Sequence, residues 1–293
     1  MTTFPVCIIG GGPAGMMTAI QLQRYGVPAQ MFEKKRLGGL LWNANLVENY
    51  PGFPRGIPGP NLIALFVRQI ELLDIKVVYE TIELLDYDQG KFQVSNSQNS
   101  YPADVVIIAS GTRPNPLPPN LISDEVASRV LSEVADLSGE KSRKIAIVGA
   151  GDAAFDYAIN LAQHNEVIIL NRSENIEALP LLVTRSKSYP NIQYLSSHSL
   201  QKVEIIKNSL KLTLSGKISE QTLYVDYLVG AIGRVANPIK RTNRFLKQEK
   251  KLIKENKLHY IGDVKNGIYR QTAIAVGDGL KTAMQIYQYL QEN

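Results

Sequence analysis

The chain has 293 residues, 44% hydrophobic and 20% charged, with a formal net charge of +5 at pH 7. That is long for one domain and comfortable for two, and the charge is too small to argue for a nucleic-acid partner. One cysteine, Cys7, rules out an internal disulfide, a CxxC couple and a cysteine-based metal cluster; no apolar run is long enough to span a bilayer.

In chain order, Met1-Thr2-Thr3-Phe4-Pro5 carries no charged leader, so a cytoplasmic protein is expected. Val6-Cys7-Ile8-Ile9 is an apolar strand-like run that breaks into glycines. Gly10, Gly12 and Gly15 fill a G-x-G-x-x-G template and open a helical pattern reaching Tyr25. The first glycine permits a tight turn, the second lets backbone approach a diphosphate, and the third lets the helix lie close on the strand. The helix start supplies N–H groups and the positive end of a dipole. Glu33 ends the next apolar run, Ala29-Gln30-Met31-Phe32, where an acid holds a ribose hydroxyl. These residues together read as a dinucleotide site.

An irregular Gly/Pro/Asn-rich segment follows through residues 37–54, and Leu62, Leu65, Phe66, Ile70 and Leu73 give residues 60–73 helical spacing. Strands are predicted at Lys76–Tyr79, Lys91–Val94 and Val105–Ala109, the last running into Ser110-Gly111-Thr112. The proline-dense stretch from Thr112 to Pro119 reads as a domain crossing. Beyond it Lys144-Ile145-Ala146-Ile147-Val148-Gly149-Ala150-Gly151-Asp152-Ala153-Ala154 repeats the opening logic, with a helix from Phe155 to Gln163 and a strand over Val167–Leu170. Several short strands are predicted within 192–229, and Val235-Ala236-Asn237-Pro238 makes the return crossing. A final amphipathic helix is predicted from about Thr272 to Leu290. One nucleotide domain, residues 1–115 and 240–293, is thus interrupted by a second over 118–237. Two glycine turns imply two nucleotides facing one another, as when a flavin meets its electron donor.

With these motifs in order, the chain resembles the thioredoxin-reductase-like branch of two-domain flavoproteins, nearly end to end. That branch includes the ferredoxin/flavodoxin–NADP reductases of thioredoxin-reductase type. The fold implied is α/β: two Rossmann-like nucleotide-binding domains, the second inserted into the first. The resemblance assigns FAD contacts to Gly10, Gly12, Pro13, Ala14, Gly15, Phe32, Glu33 and Lys34. It assigns the flavin-side loop to Gly39, Leu40, Leu41, Asn45, Asn49 and Tyr50, with Ile82 beyond it. Ala109-Ser110-Gly111 matches the signature at the first crossing, and Gly262-Asp263-Val264 matches the late FAD signature. Arg270-Gln271-Thr272 opens the last helix, whose start faces the pyrimidine edge of the flavin in this branch. N–H donors and a positive dipole end there favour the negative charge that reduction develops. Tyr269 is a further flavin-adjacent candidate.

The second turn, Gly149, Gly151 and Ala154 with Asp152 and Ala153, fits the G-x-G-x-x-A form used for NAD(P)H, with Arg172, Ile232 and Gly233 beside it by resemblance. NADP-dependent relatives place a basic cluster after the following strand. Here Arg172 remains, while Ser173 and Glu177 stand at basic positions, which leaves NADPH, NADH and no pyridine nucleotide open.

The departures shape the functional expectation. Thioredoxin reductases carry their redox CxxC where this chain has Ser132-Glu133-Val134-Ala135. Cys7, inside the first strand, is expected to be a small buried hydrophobe. The ferredoxin/flavodoxin reductases lack the dithiol too, and they usually extend past the final helix with a tail over the flavin. With Gln291-Glu292-Asn293 as the last residues, one flavin face is expected to be more open or covered by another segment. The resemblance therefore implies an FAD oxidoreductase passing electrons between NAD(P)H and ferredoxin or flavodoxin, as a homodimer, with no side-chain acid or base named. The alternatives are a flavoenzyme exchanging electrons with ferredoxin alone, and a non-catalytic FAD-binding module. The basic residues between 240 and 257 read either as a docking face for an acidic carrier or as a solvated loop and strand edge. His164, His198 and His259 lack ligand spacing, and no metal is expected.

Overall fold

A computed structural model describes residues 5–217 and 219–292. The first stretch runs β1 (Val6–Ile9), α1 (Pro13–Arg24), β2 (Ala29–Phe32), α2 (Gly59–Leu72), β3 (Val77–Val78), β4 (Leu84–Asp88), β5 (Lys91–Ser95), β6 (Ser100–Ala103), β7 (Val105–Ile108) and β8 (Thr112–Pro114). The middle stretch runs α3 (Asp124–Ala127), β9 (Val130–Leu131), β10 (Lys144–Val148), α4 (Asp152–Leu161), β11 (Glu166–Leu170), α5 (Pro180–Ser186), β12 (Ile192–Leu195), β13 (Ser199–Ile206), β14 (Ser209–Ser215), β15 (Glu220–Val225) and β16 (Tyr227–Gly230). The chain closes with β17 (Arg234–Ala236), β18 (Lys240–Arg241), α6 (Asn243–Lys254), β19 (Leu258–Tyr260) and α7 (Thr272–Glu292).

Contacts divide the chain into two compact units. One holds residues 5–42, 47–113 and 236–292; the other holds Pro114–Val235 together with Asn43–Leu46.

In the first unit a parallel sheet has the order β19-β7-β1-β2-β3, with Val6 opposite Ala29 on one side and Val105 on the other. Successive side chains of a strand point to opposite faces, so β1 feeds two cores. Ile8 packs with Met16, Ala19, Ala283 and Ile286 of α1 and α7. Cys7 and Ile9 pack with Phe32, Phe92, Val106 and Phe245 on the other face. That face is covered by the sheet β18-β4-β5-β6 and by α6. Continuous apolar strands such as Val105–Ile108 are what a sheet buried on both faces requires.

The second unit repeats the plan in the order β12-β11-β10-β16-β9. Ile145, Ile147, Val167 and Ile169 meet Phe155 and Ala158 of α4, while Ala146, Ile168 and Leu170 meet Leu210, Leu212 and Leu214 of the antiparallel sheet β13-β14-β15.

The basic stretch of residues 240–257 is corrected by the structure. It is neither loop nor strand edge beyond Lys240–Arg241, but the helix α6, capped by Thr242, whose hydroxyl accepts from the Phe245 amide at 3.1 Å. Phe245 and Leu252, two turns apart, are buried. Its arginines are structural. Arg241 bonds Glu249 at 2.6 Å, and Arg244 bonds Asp86 and Asp88, holding the Asp86 carboxyl down to about 2. Lys247, Lys250 and Lys254 face solvent. The strand predicted at Lys76–Tyr79 shrinks to Val77–Val78. The strand Ser100–Ala103 was not among those predicted, and it accommodates Pro102 because β6 lies at the edge of its sheet.

Candidate functional site

The end of β1 and the start of α1 form the first turn. Gly10 has φ +114, and a Cβ there would lie 2.3 Å from the Ala109 carbonyl oxygen. Its amide donates to the Phe32 carbonyl at 2.9 Å, so the turn is clamped between the ends of β7 and β2. A Cβ on Gly15 would lie 1.9 Å from the Gly10 oxygen, which explains the third glycine. Gly12 differs from both. Its backbone is ordinary, and a Cβ there would meet nothing within 4 Å. It is the N-cap of α1, with no side-chain cap, Pro13 behind it and no acid in the first turn. The first amides of a helix have no intrahelical acceptor, so those at Ala14 and Gly15 can serve an anion placed in that open space.

The surrounding residues complete this cradle. Glu33 Oε2 accepts from the Gly11 amide at 2.8 Å, and Oε1 accepts from the Lys35 amide at 3.0 Å, leaving lone pairs on both oxygens. Lys34 follows, exposed. The Gly38 amide donates to the Gly11 carbonyl at 2.8 Å, and Gly39, at φ +56, comes against the Gly12 Cα. Leu40 and Leu41 continue the same short helical turn, Gly39–Asn43. Ser110 Oγ donates to the Asn237 carbonyl at 2.7 Å, and the Gly111 carbonyl accepts from the Asn237 amide at 3.0 Å.

Gly262, at φ +68, sits against Ala14, so the turn Gly262–Val264 that carries Asp263 abuts the first turn of α1. Sequence reasoning missed its clamp. Asp278, on α7, accepts from the Gly262 amide at 3.0 Å and from Asn266 Nδ2 at 2.7 Å. An acid inside the small-residue run Gly277-Asp278-Gly279 was the available signal. Thr272 starts α7 as expected, after the half-buried Arg270, and Asn49 Nδ2 donates to Gln271 Oε1 at 2.9 Å. Tyr50 packs near Phe53 and Phe66, and burial raises its hydroxyl pKa. Tyr269 is exposed.

Ile82 and Asn45 complete the expected set. Ile82 is buried in the core with Phe32 and Phe92. Asn45 belongs to the second unit, where its amide donates to Asp156 Oδ2 at 2.9 Å.

The second turn copies the first. Gly149 has φ +137, a Cβ there would lie 2.3 Å from the Ala231 oxygen, and its amide donates to the Leu170 carbonyl at 3.0 Å. Gly151 is the N-cap of α4 and is open to within 4 Å, and Ala154 is fully buried. Ala153 is exposed. Ile232 and Gly233 continue past Ala231, their carbonyls accepting from the Asn115 side chain and backbone amide. Asp152 stands in the first turn of α4, where its Oδ1 accepts from the Leu179 amide at 2.7 Å. Arg172 is exposed two residues past the end of β11.

No thiol replaces the missing dithiol. At Ser132–Ala135, Glu133 pairs with Arg234 at 3.2 Å and accepts from Asn43 Nδ2, while the Ala135 amide donates to Asn43 Oδ1 at 3.0 Å. These bonds explain why Asn43–Leu46 count with the second unit. Cys7 is 1% exposed, and burial pushes its thiol up to about 12, far from the thiolate that redox exchange needs.

Two units, each with a glycine turn between a buried parallel strand and a helix, define a two-dinucleotide protein of the Rossmann kind. The chain belongs to the pyridine nucleotide-disulphide oxidoreductase family, whose model matches residues 4–279. It is similar to a thioredoxin reductase of Pneumocystis carinii, 33% identical over 204 residues, which are 65% of this chain and 62% of that protein's length. A thioredoxin reductase of Yarrowia lipolytica is 27% identical over 321 residues, covering 100% of this chain and 99% of that one. In fold it resembles the Lactococcus lactis thioredoxin reductase, with a TM-score of 0.85 at 20% identity over 99% of this chain and 100% of that one. It is a thioredoxin-reductase-like flavoprotein without the redox CxxC, in a family that uses FAD and NADPH. No helix among the described residues is long and apolar enough to cross a membrane.

Proposed function

We propose that this protein is an FAD-dependent oxidoreductase that moves electrons between NAD(P)H and a small carrier protein, ferredoxin or flavodoxin, without a protein disulfide. The observation that carries the reading is the pairing of two open glycine turns with a lone thiol sealed inside β1. FAD supplies the chemistry when bound: it accepts two electrons as hydride and releases them singly.

The chain's own residues bind and orient. The open space at Gly12, bordered by Gly39, receives the diphosphate on the amides that start α1. Glu33 holds the Gly11 amide and keeps lone pairs for a ribose hydroxyl. The start of α7 at Thr272, positioned by the Asn49–Gln271 bond, sets a positive dipole end where negative charge develops on reduction. At the other turn, Gly151 leaves space for the diphosphate of the donor. The unpaired faces of Lys247, Lys250 and Lys254 on α6 favour an acidic carrier. The same reading carries a homodimer, which sedimentation velocity checks.

Anaerobic stopped flow tests the proposal. Micromolar NADH or NADPH should bleach the flavin band, and added oxidised ferredoxin or flavodoxin should restore it. Cys7→Ser should change neither rate. If photoreduced ferredoxin bleaches the flavin and neither nicotinamide does, the donor assignment is wrong; if the purified protein refuses FAD, the enzyme reading goes as well.

A further inference from the structure

The loop that follows β11 disagrees with the family's use of NADPH. In a G-x-G-x-x-A turn the residues just past the second strand meet the adenosine ribose, and a 2′-phosphate there brings close to two negative charges at neutral pH. The first of these residues, Asn171, is 6% exposed and fully committed inward. Its Nδ2 donates to the Asn175 carbonyl at 2.8 Å and to the Tyr194 hydroxyl at 2.9 Å, and its Oδ1 accepts from the Ser173 amide at 3.1 Å. Ser173 Oγ turns back onto Asn171 Oδ1 and the Asn175 carbonyl. Lys217, brought to the same loop, is bonded to Glu174. Arg172 is left facing solvent.

Against that arginine stand two carboxylates held at the turn. The Glu177 amide donates to the Ala150 carbonyl at 3.0 Å, which anchors an exposed acid beside the glycines. Asp152 occupies the first turn of α4 and reaches across to the Leu179 amide. The loop is therefore closed by its own bonds over a site whose local charge favours the less anionic ligand.

We propose that the second turn binds the dinucleotide without a 2′-phosphate, so that NADH and not NADPH is the nicotinamide of this protein, with Glu177 the residue that discriminates. This rests on the nicotinamide-linked reading above. Isothermal titration of the FAD-loaded protein with NAD⁺ and NADP⁺ tests it, and 5′-AMP and 2′,5′-ADP isolate the adenosine end. NAD⁺ should bind at least ten-fold more tightly than NADP⁺. Glu177→Arg combined with Ser173→Arg should tighten 2′,5′-ADP at least ten-fold while leaving 5′-AMP within two-fold. NADP⁺ binding as tightly as NAD⁺ to the unaltered protein overturns the inference and leaves the nicotinamide-linked reading standing. Binding of neither overturns both.

Discussion

The two glycine turns share one backbone and differ in chemistry. Each opens on a glycine at strongly positive φ, jammed against a neighbouring carbonyl at 2.3 Å from the missing Cβ, and each ends in an N-cap glycine with open space beside it. At the first, the loop amide of Gly11 is held by Glu33 and no acid enters the first turn of α1. At the second, an aspartate fills that first turn, and the returning loop is tied to Ala150 and Asp152. Backbone shape thus admits a diphosphate at either turn, while the side chains decide how much negative charge each tolerates. Shape and charge are separable properties, and substitutions can address them one at a time.

The largest effect separates the third positions of the templates. Gly15→Ala puts a methyl 1.9 Å from a backbone oxygen that cannot move without pulling α1 off β1. Overpacking of this kind costs about 3 kcal/mol, and for a unit of this size about 6–12 °C in Tm, with flavin lost on purification. Ala154→Gly, the converse at the second turn, should cost only about 1 kcal/mol from helix propensity. Equal losses in calorimetry would show that Gly15 is no more tightly packed than Ala154.

The next effect is on binding without folding. Gly12→Ala adds a methyl to open space at an ordinary φ, so the Tm of the flavin-free protein should stay within about 2 °C while FAD affinity drops ten-fold or more, about 1.4 kcal/mol. Gly151→Ala should do the same to the nicotinamide dinucleotide and leave FAD untouched. Fluorescence titration reads both, and loss of FAD from the Gly151 variant would break the assignment of one ligand to each turn.

The smallest effect is at Glu33. Glu33→Gln keeps an acceptor for the Gly11 amide but removes the charge that strengthens the bond, a loss of about 1 kcal/mol. Thermal melts of flavin-free protein should show it.

Legibility in the sequence followed the range of the forces involved. The glycine turns could be read because a φ of +114 at Gly10 and +137 at Gly149, with a carbonyl pressed against the missing Cβ, leaves room for glycine alone. The strands β1 and β10 could be read because a short apolar run ending in glycines is equally local. The helix α6 could not, because eight basic residues between 240 and 257 obscured an apolar stripe that amounts to Phe245 and Leu252. The role of Asp278 was missed because its partner, Gly262, lies sixteen residues back and meets it only once α7 has docked. Asn45 was given to the flavin loop by resemblance, and its bond to Asp156, which groups it with the second unit, could not be read from the sequence.

From the sequence alone came the two turns, the strand that precedes each and the lack of a dithiol, since these are properties of residue type and short spacing. Tertiary structure decided which carboxylates remain beside each turn, which cations are already neutralised and which amides are already taken. Local backbone geometry is set within a few residues, but net charge at a site is a sum over groups that only folding brings together.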